Sequence, residues 1–209
     1  MISLALSAMQ LITITLLIPS GFAWNFSRRL PQRSHRYRSL SSLAAANGDP
    51  VASIPLMEAE LAALDSLGED ATEVRSELEG RLDDAKNAAE FGVRRAQAEF
   101  YSAFSSGDQK AMENVWSTGG GRVRCVHPGM SSIEGTEAVM ASWAQILKGG
   151  SGGFEIAPAR TQIEISGRVA MCSCIEETPG GGKLEALNIY TRENGNWKMI
   201  LHHASPIFS

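Results

Sequence analysis

Residues Arg122–Leu147, RVRCVHPGMSSIEGTEAVMASWAQIL, decide how the rest of the chain is read. Val123, Cys125 and His127 fall on one side of an extended segment; Arg122, Arg124 and Val126 fall on the other. The two arginines mark the wet side, so His127 is expected to point inward at the strand end. His127-Pro128-Gly129 turns the chain, and Ser131 to Thr136 leads into a helix. Val139, Met140, Trp143, Ile146 and Leu147 recur on one side of it at helical spacing. The stretch is a strand–turn–helix unit with a histidine at its elbow.

Upstream, Phe91 to Ser106 reads as helix. Gly107 is suited to a left-handed helix end, and Asp108 to capping a second helix over Gln109–Trp116. Before that, residues 57–90 carry apolar side chains at Met57, Leu61, Leu64, Val74, Leu78 and Leu82, with charge on the opposite face. Gly68 is expected to divide this stretch into two helices. We read residues 57–92 as a helical extension that docks or dimerises, and residues 49–56, with two prolines, as a linker.

Downstream, the pattern changes to strands. Phe154–Ser166 alternates, with a kink expected at Pro158, and Gly167 turns into Arg168–Glu177. A glycine-rich loop precedes Leu184–Arg192, and Asn194-Gly195 is a strong hairpin signal before Trp197–Ala204. Helices followed by a run of antiparallel strands give an α+β fold. On the last strand, strict alternation puts Trp197, Met199, Leu201 and His203 on one face, and Lys198, Ile200 and His202 on the other.

The first 48 residues stand apart. They hold five arginines and no acidic residue, so 14 basic side chains face 23 acidic ones in the remainder, a net of −9. A body that acidic argues against a nucleic-acid partner, because phosphate binding needs Lys and Arg. Ile2–Ile18 is apolar, long enough for a signal segment and short for a membrane span; the Arg- and Ser-rich run after it has transit-peptide composition. With Phe22 at the junction, the pair resembles the bipartite presequences of proteins sent to complex plastids. A secretory signal followed by a basic linker is the alternative. Neither reading leaves a stable membrane anchor on the mature chain.

Two helices, a strand ending in His-Pro-Gly, a Trp-bearing helix and four strands form an ordered set. Its pieces are FYSAFSSGDQKAMENVW, VRCVHPG, IEGTEAVMASW and NIYTRENGNWKMILHHASP. The set resembles the SnoaL-like branch of the nuclear transport factor 2-like superfamily, which places the domain at residues 93–209. The resemblance implies a cone-shaped, curved antiparallel sheet with three helices packed on its concave face around a pocket. It also implies homodimers formed through the outer sheet face. It implies no single reaction: such folds host isomerases, dehydratases, cyclases and plain binding or association modules.

The candidate site residues follow from the face arithmetic. His127 and His203, both expected inward, are the acid/base candidates. Tyr101 is a hydrogen-bond donor on the first helix, and Trp116 and Trp143 are candidate pocket walls. Asn188 and Tyr190 share a strand face and supply polar handles if that face is concave; the parity is open, because Leu187 and Ile189 make the other face apolar too. Plain core packing competes with each assignment. No Asp follows Asp108, so Glu176 and Glu185 are the carboxylates available to a base, both near strand ends. Cys125, Cys172 and Cys174 read as small core residues, no metal spacing is visible, and the glycine loops lack a phosphate-binding fingerprint, so no cofactor is expected. The leading expectation is a domain that binds a small apolar molecule, with an acid/base enzyme and an association module as alternatives.

Overall fold

The computed structural model describes residues 49–65, 72–119, 122–151 and 155–208. The presequence assigned to residues 1–48, the break at Gly68 and the start of the strand at Phe154 lie outside them. A 3-10 turn, Pro50–Ser53, leads into helix α1, Ile54–Leu64. The stretch read as a linker thus carries this turn and the start of α1, with Val51, Ser53 and Ile54 buried.

Helix α2, Thr72–Ser106, is the spine. Its buried positions Leu78, Leu82, Ala85, Ala89, Val93, Ala96 and Phe100 recur every three or four residues, which keeps them on one face of the 35-residue helix. The helix runs without interruption from the expected extension into the domain. It ends at Gly107 (φ 67°), with Gly107 N–H donating to Phe104 O at 3.1 Å and Asp108 N–H to Ala103 O at 3.0 Å. Asp108 then caps α3, Gln109–Val115, by accepting from Ala111 N–H at 2.9 Å.

Strand β1 (Arg124–Val126), the short β2 (Ile133–Glu134) and helix α4 (Thr136–Ile146) come from the strand–turn–helix stretch. A π-helical turn, Leu147–Ser151, follows. The remaining strands are β3 (Ala157–Ser166), β4 (Val169–Glu177), β5 (Lys183–Glu193) and β6 (Asn196–Pro206). Asn194 (φ 49°) and Gly195 (φ 77°) both take positive φ in the β5–β6 turn, as a two-residue hairpin requires.

The fold is α+β. Among the described residues six strands form one curved, unclosed sheet in the order β2-β1-β6-β5-β4-β3; β1 pairs parallel with β6 and the other pairs are antiparallel. Helices α2, α3 and α4 cover the concave face, and α1 packs back on α2. Two irregularities bend the sheet. One lies in β3 between Ala159 and Gln162, where Arg160 has φ 53°; Pro158, the expected kink, stays in register opposite Glu176. The other lies in β6: Tyr190 pairs with Met199 and Ile189 with Leu201, leaving Ile200 as the extra residue.

The β6 bulge corrects the expectation for the C-terminal histidines. One extra residue reverses the alternation beyond it. Trp197 and Met199 are buried as expected, but His202 and Ala204 are then the inward residues, while His203 is exposed. On β5 the open parity resolves: Asn188 and Tyr190 are fully buried on the concave face, and Leu187 and Ile189 are half-buried on the outer one.

Candidate functional site

The concave face holds a half-open cavity of about 180 Å³ between α2, α4 and the β4–β6 end of the sheet. Phe100, Phe104 and Trp143 make its aromatic wall, and Ile146, Ile156 and Leu184 add aliphatic surface. Trp143 stands edge-on to His127 and Phe100, with ring centroids at 4.7 Å and 5.6 Å, and is tilted against His202 at 5.8 Å. Three ionisable side chains enter this carbon-lined space: His127, Glu176 and His202.

Glu176 is the inward residue at the end of β4. It is 2% exposed and accepts a hydrogen bond from Tyr101 Oη at 2.9 Å. Burial disfavours its charge and lifts its pKa from 4.5 to about 6, with the Tyr101 hydrogen bond opposing the shift. Burial first, and then the Glu176 charge, push the Tyr101 hydroxyl far above its ordinary range. The same burial raises Cys125 and Cys172 to about 12, so these thiols stay protonated.

His202 is buried on β6 with Nδ1 2.7 Å from Asn188 Oδ1. Desolvation first, then the charges of His127 and His203, lower its pKa to about 3, so it is neutral. Asn188 Nδ2 donates to Gln97 Oε1 at 3.0 Å, and Tyr190 Oη also donates to that oxygen. Gln97 Nε2 donates to Tyr101 Oη at 3.2 Å and to Cys174 Sγ at 3.5 Å. His127 Nε2 lies 3.0 Å from Ser142 Oγ, and burial lowers its pKa as well.

Tyr101, Asn188 and Tyr190 therefore join one buried polar network, and Trp143 and His127 line the cavity directly. Trp116 does neither: it is 1% exposed, bridges to Met199 and sits in the solid part of the core. His203, on the outer face, bonds Ser205 Oγ at 3.0 Å. Alternation alone concealed His202, because a bulge has no residue signature here. Gln97 went unnoticed because a lone glutamine on a helix reads as a solvent-facing residue. Glu176 was visible as a carboxylate but not as a buried one. Among the described residues no group of three or more His, Cys, Asp or Glu is placed to hold a metal ion, and no helix is long and apolar enough to cross a membrane.

A curved sheet, capped by helices and hollow on its concave side, defines the nuclear transport factor 2-like class of folds. Residues 93–209 match the model of the SnoaL-like domain, and the chain belongs to that family. Solved structures agree on the fold. An NTF2-like family protein of Streptomyces avermitilis, proposed to be a dehydratase, is 24% identical with TM-score 0.54, over 59% of this chain and 99% of its own. A Thiobacillus denitrificans protein, proposed to be a calcium/calmodulin-dependent protein kinase type II association domain, is 29% identical with TM-score 0.50, over 54% and 93%. An NTF2-like protein of Pseudomonas putida with no known function is 18% identical with TM-score 0.52, over 59% and 89%. No curated protein matches the chain.

Proposed function

We propose that the domain binds a small, largely apolar molecule in its concave cavity. The observation that carries this reading is the cavity itself: about 180 Å³, walled by aromatic rings, with its few polar groups held by buried hydrogen bonds. A domain serving only for association has no need of such a hollow. Native mass spectrometry of the purified protein is expected to show a retained small molecule. Ala204→Phe, which fills the space from β6, is expected to remove it. An Ala204→Phe protein that keeps the bound mass places the ligand elsewhere.

A second reading, an isomerase- or dehydratase-type enzyme, draws support from Glu176. A buried carboxylate with pKa about 6, in one cavity with two neutral histidines, is poised to take up a proton. In this reading Glu176 is the base, with His127 and His202 as partners; His203 is too far out to take part. Glu176→Gln is expected to abolish turnover of the co-purified molecule while leaving it bound. Unchanged turnover rules the base assignment out.

A homodimer through the outer sheet face fits the same reading. Met171, Ile189 and Leu201 pair across β4, β5 and β6 into one partly exposed apolar row. Met171→Glu with Ile189→Lys is expected to give monomers in sedimentation. Plastid targeting by residues 1–48 is part of the proposal and is tested by imaging that segment fused to a fluorescent protein. A fusion that is secreted instead decides for the simple signal peptide.

A further inference from the structure

The hydrogen bonds that leave Glu176 run in one direction, and this fixes what the cavity can recognise. At neutral pH the Glu176 carboxylate can only accept. Tyr101 must therefore donate to it, and accepts in turn from Gln97 Nε2, with Cys174 Sγ 3.2 Å from the same oxygen. That orientation turns Gln97 Oε1 toward Asn188 and Tyr190, which both donate to it. Asn188 then presents Oδ1 to His202, so His202 carries its proton on Nδ1. Reversing Gln97 alone would set donor against donor, and reversing Asn188 alone acceptor against acceptor, at a buried site. His202 Nε2 is left as the lone-pair nitrogen of a side chain that lines the cavity.

The protons of the other polar side chains of the wall are bonded within the protein, that of Trp143 excepted. Ser142 Oγ donates to Val139 O at 2.8 Å, so it accepts from His127 Nε2–H and leaves Nδ1 unprotonated. Thr178 Oγ1 donates to Gly182 O at 3.2 Å. Trp143 Nε1–H is covered and has no acceptor. Among the described residues no Lys or Arg lines the cavity. The wall thus offers acceptors at Glu176, His202 and His127 Nδ1, carbon elsewhere, and nothing among the described residues to neutralise an anion.

We propose that the cavity is a receptor for a single-ring-sized molecule that carries a hydroxyl or N–H donor, bound by Glu176 and His202, and that it excludes carboxylates and phosphates. This rests on the reading that the cavity binds a small molecule. The size limit follows from volume: a hollow of about 150 Å³ holds a benzene ring, and this one is about 180 Å³. An acceptor-only wall leaves its own lone pairs unpaired when the ligand lacks a donor, and a buried anion beside Glu176 meets a like charge.

Calorimetric titration at neutral pH with phenol, toluene and benzoate tests this on the whole protein. Phenol is expected to bind roughly tenfold or more tighter than toluene, and benzoate not detectably. Equal or tighter binding of toluene or benzoate overturns the proposal while the cavity reading survives; no binding of any of the three sinks both. In Glu176→Gln the amide nitrogen faces the cavity as a donor, so phenol's advantage over benzoate is expected to shrink or reverse. A nitrogen-15 spectrum supplies the independent readout. His202 is expected as the Nδ1–H tautomer in the wild-type protein, and in Gln97→Met it is expected to become a mixture. An Nε2–H tautomer in the wild-type protein contradicts the chain directly.

Discussion

The two ends of the concave face are built from opposite materials. Before Ile200, the inward residues of β6 are Trp197 and Met199, packed with Ala170, Tyr190, Trp116 and Met112 into a solid core. Beyond it they are His202 and Ala204, facing Asn188, Glu176 and a hollow. A Cβ on Gly92 would lie 2.8 Å from Trp197 Cδ1, so the solid end has no room even for a methyl group. The hollow end holds three ionisable side chains. The difference teaches that one bulge residue divides a close-packed region from a hollow one whose buried polar groups cost stability.

The largest expected effect comes from acidifying the hollow end. His202 has its folded pKa depressed from 6.5 to about 3, chiefly by burial. A depressed histidine contributes stability that is whole above 6.5 and is lost as pH falls toward the folded value. The interval corresponds to roughly 5 kcal/mol, and His127 acts in the same direction. Urea midpoints are expected to fall steeply below pH 6.5, and the fall to be shallower in His202→Gln. Equal slopes in the two proteins would place the acid sensitivity outside the cavity.

Next comes the solid end. Trp197→Ala is expected to cost about 3–5 kcal/mol, because the ring is buried in a packed site that cannot collapse around the loss. In the fraction that stays folded, phenol affinity is expected to hold. A selective loss of affinity would show that the two ends are coupled more tightly than the bulge suggests.

Glu176 gives the effect of opposite sign. Its folded pKa is raised from 4.5 to about 6, so its contribution is present below 4.5 and is lost as pH rises through about 6. At neutral pH the buried carboxylate therefore costs about 2 kcal/mol. Glu176→Gln is expected to raise the melting temperature at neutral pH and to lose that advantage below pH 4.5. A variant destabilised at both pH values would mean that Tyr101 needs the charge and not merely an oxygen.

The legible part of the molecule was the part governed by local rules. Apolar spacing marked the α2 stripe, Gly107-Asp108 the helix junction, and Asn194-Gly195 the hairpin, because each is a backbone requirement that few residues meet. Arg122 and Arg124 oriented β1 and so placed His127 inward. The site was only half legible. His127, Tyr101, Trp143, Asn188 and Tyr190 were named from type and face. His202 was lost because a period-2 argument propagates one error to every residue past a bulge. Gln97 and Glu176 were missed in role because their burial depends on partners 91 and 75 residues away, Asn188 for Gln97 and Tyr101 for Glu176.

The smallest effect sharpens the comparison at the edge of the solid end. Asp49 accepts from Arg192 Nε at 3.2 Å and Nη2 at 2.9 Å, and also caps the 3-10 turn through Val51 N–H at 3.1 Å. The Arg192 hydrogen bonds hold the Asp49 carboxyl below its ordinary pKa. The guanidinium of Arg192 lies 5.4 Å from the Trp197 ring centroid, so the ion pair ties the N-terminal turn to the packed tryptophan. Both partners are mostly covered, at 13% and 25% side-chain exposure, yet solvent still screens the pair. Asp49→Ala is therefore expected to cost about 1 kcal/mol, cap and ion pair together. Asp49→Asn, which keeps a capping oxygen, is expected to cost less. Neither change reaches the cavity, so phenol affinity is expected to match the wild-type protein. A weakened affinity in Asp49→Asn would mean that the turn reaches across the bulge to the hollow end, and the division between the two regions would fail there first.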